Sequence, residues 1–592
     1  MPDAAPRPAP SNLGPPISSS VPAKTATAIQ GAEGTSPEPA PPKTTSCLGV
    51  PHISCSYNVH DPHHLITFGE FLGVIGLLLA LRALARPAMN FRLRVAGISN
   101  VHMLGVLAAA GVFVLIGSLL PLYDGPRSPI IGYSIAWELL AALLSFLGML
   151  YLLYVAFGAA RFAARNARRY YDASNFMVAT GDEAALSELA TDIYVAVPGV
   201  IRACKEVPIE REGPAQVRER VVIAYRTLDL WSDERLCAAM VIRAPETAIE
   251  LLHQIASDLS PSQGGRSCVH QIVDQALTLE GSILYREDEF SPLGRQRTFT
   301  RAIASNYRFV EDFRPLQAWD WRHKERADAH QVDKYGALVL AALEAYLAAG
   351  DFGSNPAALW SAFRELAELA PSRAWRLRRV DEAALGGGNA DSSVLYSVSS
   401  TFRKIIEIVT RNDSLLAQVT TALPPDGRDH TIFGAVAEGV FRYLQGLAQV
   451  LSHDEVVRMA AIEIWMELFP SDGSEPNRAG GAIGLRLIER LKSKVEDNLG
   501  ARFGGYPLVT RVLLTFVGFP TPESPRPHGS RAEKAFYEWL FNALKTRYAM
   551  VAKHSAERAR ELLPATIRFH GLRLEQSRYG GNPVALELAP AE

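Results

Sequence analysis

IIGYSIAWELLAALLSFLGMLYLLYVAF, residues 130–157, runs for 28 residues with Glu138 as its single charged side chain. At about 1.5 Å of rise per residue, a helix of that length exceeds the roughly 30 Å of hydrocarbon in a bilayer. One such stretch in a soluble protein can be a buried core helix. Here it has two companions: residues 101–120, in which only His102 ionises, and residues 65–81, interrupted by Glu70. Three long apolar stretches within 95 residues fit core helices poorly and predict a membrane region at 65–157, with spans at 65–84, 100–122 and 130–157.

The arginines give that region a direction. Arg82, Arg86, Arg92 and Arg94 lie between the first two stretches, and Arg161, Arg165, Arg168 and Arg169 follow the third. Residues 45–64 hold no Lys or Arg, and the loop between the second and third stretches has only Arg127, balanced by Asp124. The positive-inside rule then places residues 1–64 outside and the C-terminal region in the cytoplasm, beneath a cytoplasmic (inner) membrane. The tail is expected to be disordered, because 11 of the 38 prolines fall in the first 46 residues, among Ala, Ser and Thr. A basic juxtamembrane helix is expected over 158–179, where Arg161, Arg165, Arg168 and Arg169 would each gain about 1 kcal/mol from anionic lipid.

Within the spans, Gly69, Gly73 and Gly76 have the small-residue spacing that lets helix backbones approach. Glu70 and Glu138 form a candidate intramembrane polar pair, expected to face the bundle interior because lipid exposure of a carboxylate is costly. His52, His60, His63 and His64 cluster just before the first span without a diagnostic ligand spacing.

Beyond residue 180 the pattern is helical. Phe402/Ile405/Ile406/Val409, Phe433/Val436/Val440/Leu444/Leu447 and Val457/Ala460/Ala461/Ile464/Leu468 recur at core-facing helical spacing. Thr180–Glu183, Ser452–Glu455 and Ser530–Glu533 match the S/T-x-x-E capping box. Gly- and Pro-rich breaks suggest lobes at 180–390 and 391–565, and the period-2 alternation after 566 predicts a small β element over 566–592. The fold class is therefore all-α: three transmembrane helices, a large cytosolic multi-helical domain and a small C-terminal β element.

Signatures of chemistry are sparse. The chain has no GxxxxGK[ST], HExxH or GxSxG, and its five cysteines form no CxxC pair. Residues 1–170 hold 12 of the 60 basic and 7 of the 62 acidic residues, which leaves −7 for the remainder and argues against nucleic acid. No cofactor or metal is expected. WDWRHKERADAH (319–330) is the most catalytic-looking stretch: on one helix His323 and His330 sit seven apart and share a face. That spacing is longer than helical metal ligands use, and a charged, tryptophan-anchored surface helix is expected. SILYREDEFSPLGRQRTFTR (282–301) reads as a connection with acids on one arm and arginines on the other. Tyr285, Arg286, Glu287, Asp288, Glu289 and Arg295 are its candidate recognition residues, and the helical fold should survive joint loss of Glu287, Asp288 and Glu289.

The expected function is a regulatory, sensory or scaffolding membrane protein whose cytosolic domain binds a protein partner. The alternatives are an oligomeric channel or transporter subunit, self-associated through its spans, and a membrane-tethered hydrolase. Cysteines placed at Ser36, Arg94 and Glu592 test the direction: a membrane-impermeant thiol reagent added outside should label the first and spare the other two. Labelling of Ser36→Cys only from the cytoplasmic side would reverse the orientation.

Overall fold

The computed structural model describes residues 45–46, 54–55, 69–73, 75–76, 86–98, 100–119, 134–205, 215–258, 263–289, 297–352, 355–377, 389–412, 415, 429–449, 454–470, 477–500, 508–519, 530–578 and 581–590. The expected tail thus lies outside the described residues, apart from Thr45–Ser46 and Ser54–Cys55, which pair antiparallel. Most of the first expected span, Ser452 and Arg295 also lie outside them.

Among the described residues, three helices are long and apolar enough to cross a membrane: Val101–Leu119, Ile135–Phe157 and Glu183–Lys205. The first two coincide with expected spans and pack on each other, with only 28% and 11% of their windows buried. The third lies in what was expected to be the cytosolic domain, and 56% of it is buried. Leu189, Ile193, Val197 and Val200 are fully enclosed there by the helices Ala215–Trp231, Glu234–Arg243 and Pro245–Asp258. Length and composition alone therefore do not separate a span from the central helix of a large core; the surroundings do.

Close approaches occur at Gly111, against Phe71 of the first expected span, and at Gly148, between the two apolar helices. A Cβ on Gly111 would sit 3.0 Å from the Phe71 ring, and one on Gly148 would sit 3.2 Å from Val106. Gly73 and Gly76, in contrast, face nothing within 4 Å among the described residues. Among the described residues Glu138 is buried and Glu70 is exposed.

All three quoted apolar stripes are buried. Ala390–Thr410 is the central helix of the C-terminal half and packs on Ala329–Ala349, Leu369–Leu377, Asp454–Leu468 and Arg478–Leu499. One apolar core runs through the described residues from Phe91 to Leu588, continuous across the boundary expected near 390. The Ser530 hydroxyl caps Arg531–His554, as expected. Thr180 does not cap the next helix: its hydroxyl bonds back to the Phe176 carbonyl, and Asp182 accepts from the Ala185 N–H instead. The C-terminal strands Ile567–His570, Arg573–Arg578 and Gly581–Glu587 form an antiparallel sheet that turns at Gly571 (φ +63°). It docks on the Arg531–His554 helix, where the Ala589 N–H donates to the Lys545 carbonyl at 2.8 Å.

A buried ion pair fastens the second half. Arg486 is 1% exposed and contacts Asp429, which also accepts from the Thr431 N–H (2.9 Å) and hydroxyl (2.6 Å) at the start of Ile432–Leu447. Burial opposes charge on Asp429, but the Thr431 and Arg486 donors outweigh it and hold the carboxyl below its usual range. Arg486→Met strands that carboxylate and should cost about 3–5 kcal/mol in denaturant unfolding. Adding Asp429→Asn should recover part of the loss, and an unchanged midpoint in the single variant would refute the assignment.

Candidate functional site

A polar cluster joins the apolar helix Ser134–Phe157 to the helical body. Pro87–Ala96 follows the first expected span; it starts on proline, whose fixed φ suits a first helical position, and stops at Gly97. Gly97 holds φ +77°, a conformation costly for a residue with a Cβ, and returns hydrogen bonds to the Arg94 and Leu93 carbonyls through its own and the next N–H. Any Cβ there would also collide with the Arg169 guanidinium. Phe91 on this helix and Phe162 in the following connector meet Tyr170 edge-on at 5.4 and 5.6 Å, and Tyr170 meets Trp231 at 6.5 Å. Edge-to-face pairs of this kind add about 0.5–1.5 kcal/mol each beyond burial.

Arg92 projects from that helix and joins three segments. Its Nε and Nη2 donate to Asp192 at 2.9 and 2.6 Å, a bidentate pair. Its Nη1 donates to the Ala156 carbonyl at 2.9 Å, at the last turn of Ser134–Phe157, where a cation also complements the helix dipole. The Arg92 side chain is 23% exposed and Asp192 5%. One turn away the Ala88 N–H donates to Glu188 at 2.7 Å, and Arg94 lies 3.8 Å from the Phe176 ring centre.

The expected juxtamembrane helix over 158–179 is interrupted. The apolar helix ends at Phe157, and helix resumes only at Ala167–Thr180. Asn166 folds the intervening turn, accepting from the Ala163 N–H (2.8 Å) and donating to the Arg161 carbonyl (2.9 Å). Because the chain turns here, the four arginines separate. Arg161, Arg165 and Arg169 line a cleft of about 940 Å³ together with Arg92, Tyr151 and Tyr154. Arg168 does not line it and lies 3.5 Å from Glu219. The cleft adjoins an apolar cavity of about 250 Å³ between the two apolar helices; Ala96 and Tyr151 line both.

Of the stretch at 282–301, residues 282–289 and 297–301 are described. Ile283–Glu289 is helical, Tyr285 and Glu287 are buried, and Arg286 is partly buried. Glu287 accepts from the Phe299 N–H, from the Thr300 N–H at 3.3 Å and from the Thr300 hydroxyl at 2.8 Å. It therefore caps Thr298–Ala304 from outside that helix and satisfies donors that the helix start leaves open. Tyr285 donates to the Leu277 carbonyl at 2.6 Å, and Arg286 to the Ile242 carbonyl at 2.8 Å. Asp288 and Glu289 close the short helix. Of the candidate recognition residues, Tyr285 and Glu287 are therefore enclosed, and Arg295 lies outside the described residues.

WDWRHKERADAH is also divided. Trp321–Lys324 is a single turn, and the Asp328/Gln331 capping box starts a new helix at Ala329. His323 and His330 consequently part. His330 meets the Tyr285 ring at 5.0 Å, while His323 Nδ1 lies 3.1 Å from the buried Asp274 carboxylate, which also accepts from the Asp320 N–H at 2.8 Å. His270 lines the same cleft of about 610 Å³, and its Nε2 lies 2.9 Å from the Phe313 carbonyl. Burial lowers the His270 pKa, so the neutral ring donates there. An imidazole oriented by a carboxylate can shuttle a proton. However, the described residues lining this cleft include no Ser, Thr or Cys, and the Asp274 contacts mainly fasten residues 320–323 to Gln263–Thr278.

Compared with known proteins, the chain matches no family, no curated protein and no solved structure. Its functional reading rests on the geometry above.

Glu287→Ala should lower stability by about 1–3 kcal/mol, because two buried N–H groups lose their acceptor. Glu287→Gln, which keeps an acceptor oxygen, should lose less. Equal midpoints for Glu287→Ala and the parent in denaturant unfolding would return Glu287 to the surface-acid reading.

Proposed function

We propose that the protein is a multi-pass integral membrane regulator or sensor whose helical body lies on the cytoplasmic side, binds a protein partner and takes its position from the spans. The observation that carries this reading is the three-way contact of Arg92 with Asp192 and the Ala156 carbonyl. A passive anchor needs only a linker between its last span and its soluble mass. Here the connection between two expected spans is itself packed into the body, through Phe91 against Tyr170 and through Arg92. Tilting Ser134–Phe157 therefore moves an acceptor of Arg92 and loads the Glu183–Lys205 helix at the centre of the neighbouring core. Pairing a guanidinium and a carboxylate away from bulk water strengthens their attraction, so displacing either is felt by the other. The arginine distribution supports the cytoplasmic side for the body.

Span tilt responds to bilayer thickness, which provides the test. The full chain is placed in nanodiscs of short-chain and long-chain phosphatidylcholine, and hydrogen exchange is followed over residues 183–205. The two bilayers should give different protection there in the parent protein and the same protection in Arg92→Gln. Identical exchange in both bilayers for the parent would end the sensing reading.

A further inference from the structure

We propose that the cleft at the membrane-proximal end of the body is a binding site for one anionic glycerophospholipid, with its phosphate against Arg161 and Arg165 and an acyl chain in the apolar cavity between the spans. The proposal rests on the reading that Asn100–Leu119 and Ser134–Phe157 cross a bilayer, and it adds the ligand that the junction takes.

Charge comes first. Arg161 and Arg165 are exposed, and neither has an ion pair among the described residues. Among the described residues no Asp or Glu lines the cleft. Arg92, in the same wall, is already neutralised by Asp192. The remaining field is positive, and arginine presents the planar donor fork that suits a phosphate. The contrast with Arg168 is informative: it sits in the same run of sequence, faces away from the cleft wall and has Glu219 for company. The turn held by Asn166 is what sorts the basic residues in this way.

The apolar half supplies the second argument. Met103, Leu107 and Leu152 line the adjoining cavity, which meets the cleft at Ala96 and Tyr151, so polar and apolar volumes are joined end to end. A soluble anion such as free phosphate has no use for the second volume, whereas a lipid fills both. Tyr151 and Tyr154 are 57% and 77% exposed at the level where the two volumes meet, the position aromatic side chains favour at a headgroup boundary. Ser145 in the cavity wall has its hydroxyl buried without a hydrogen-bond partner.

The test uses the full chain in nanodiscs of phosphatidylcholine doped with phosphatidylglycerol, with bound lipid counted by native mass spectrometry after release. One phosphatidylglycerol should be retained in preference to phosphatidylcholine. The Arg161→Gln/Arg165→Gln double variant should lose affinity by about thirtyfold, from two basic side chains acting near the surface. The Arg161→Lys/Arg165→Lys variant should keep most of the affinity, and Arg168→Gln should match the parent. Equal retention of the two lipids, or no change in the Gln double variant, would overturn the proposal. Displacement of the lipid by glycerol phosphate at equal concentration would overturn it in favour of a soluble-anion site. The bilayer-thickness experiment is run in phosphatidylcholine alone, so absence of lipid preference and absence of span coupling are separate results.

Discussion

The pairing of Arg92 with Asp192 is the contact on which the relation between the apolar helices and the body depends. It brings together residues 100 positions apart, and through the Ala156 carbonyl it includes the end of a third segment. Apolar packing around Tyr170 supplies the area, but packing of that kind tolerates sliding, whereas a bidentate fork fixes distance and rotation together. Removing one partner leaves the other charge in a largely enclosed place, which makes such a pair far costlier to break than an exposed one. The geometry of the neighbouring cleft follows, because Arg92 and the adjoining Val95 and Ala96 form part of its wall.

Features that depend on local periodicity were legible in the sequence. The apolar stretches at 101–120 and 130–157, the stripe from Phe402 to Val409 and the alternation around Leu574 and Leu586 all depend on spacing, and the helices and strands follow it. Features that depend on distant partners were not. Glu287 stands in a run of three acids and reads as surface, yet its oxygens meet backbone donors 12 and 13 residues on. Nothing local distinguishes it from Asp288. Arg92 likewise counts as one arginine among several until Asp192 is placed beside it.

Two misreadings had a usable signal. Asp328 and Gln331 have the i, i+3 spacing of a capping box, and reading them as a helix start would have separated His323 from His330. The interruption after Phe157 was announced by Gly158 and Asn166, a residue type that bonds its own backbone and favours turns. The run of Ala and Arg around them outweighed that signal because both are good helix formers.

The interval between Arg92 and Asp192 also has a meaning during biosynthesis. A ribosome adding about 5–20 residues per second completes Arg92 some 5–20 s before its partner exists. On the membrane reading proposed above, throughout that interval the arginine is an uncompensated cation beside nascent apolar helices, the kind of charge that orients short loops at the translocon. When the Glu183–Lys205 helix folds, the same side chain is neutralised and becomes a structural fastener. Exchanging the two residues would restore the folded pair but put a negative charge in place during insertion, so the order of the pair along the chain matters as well as its geometry.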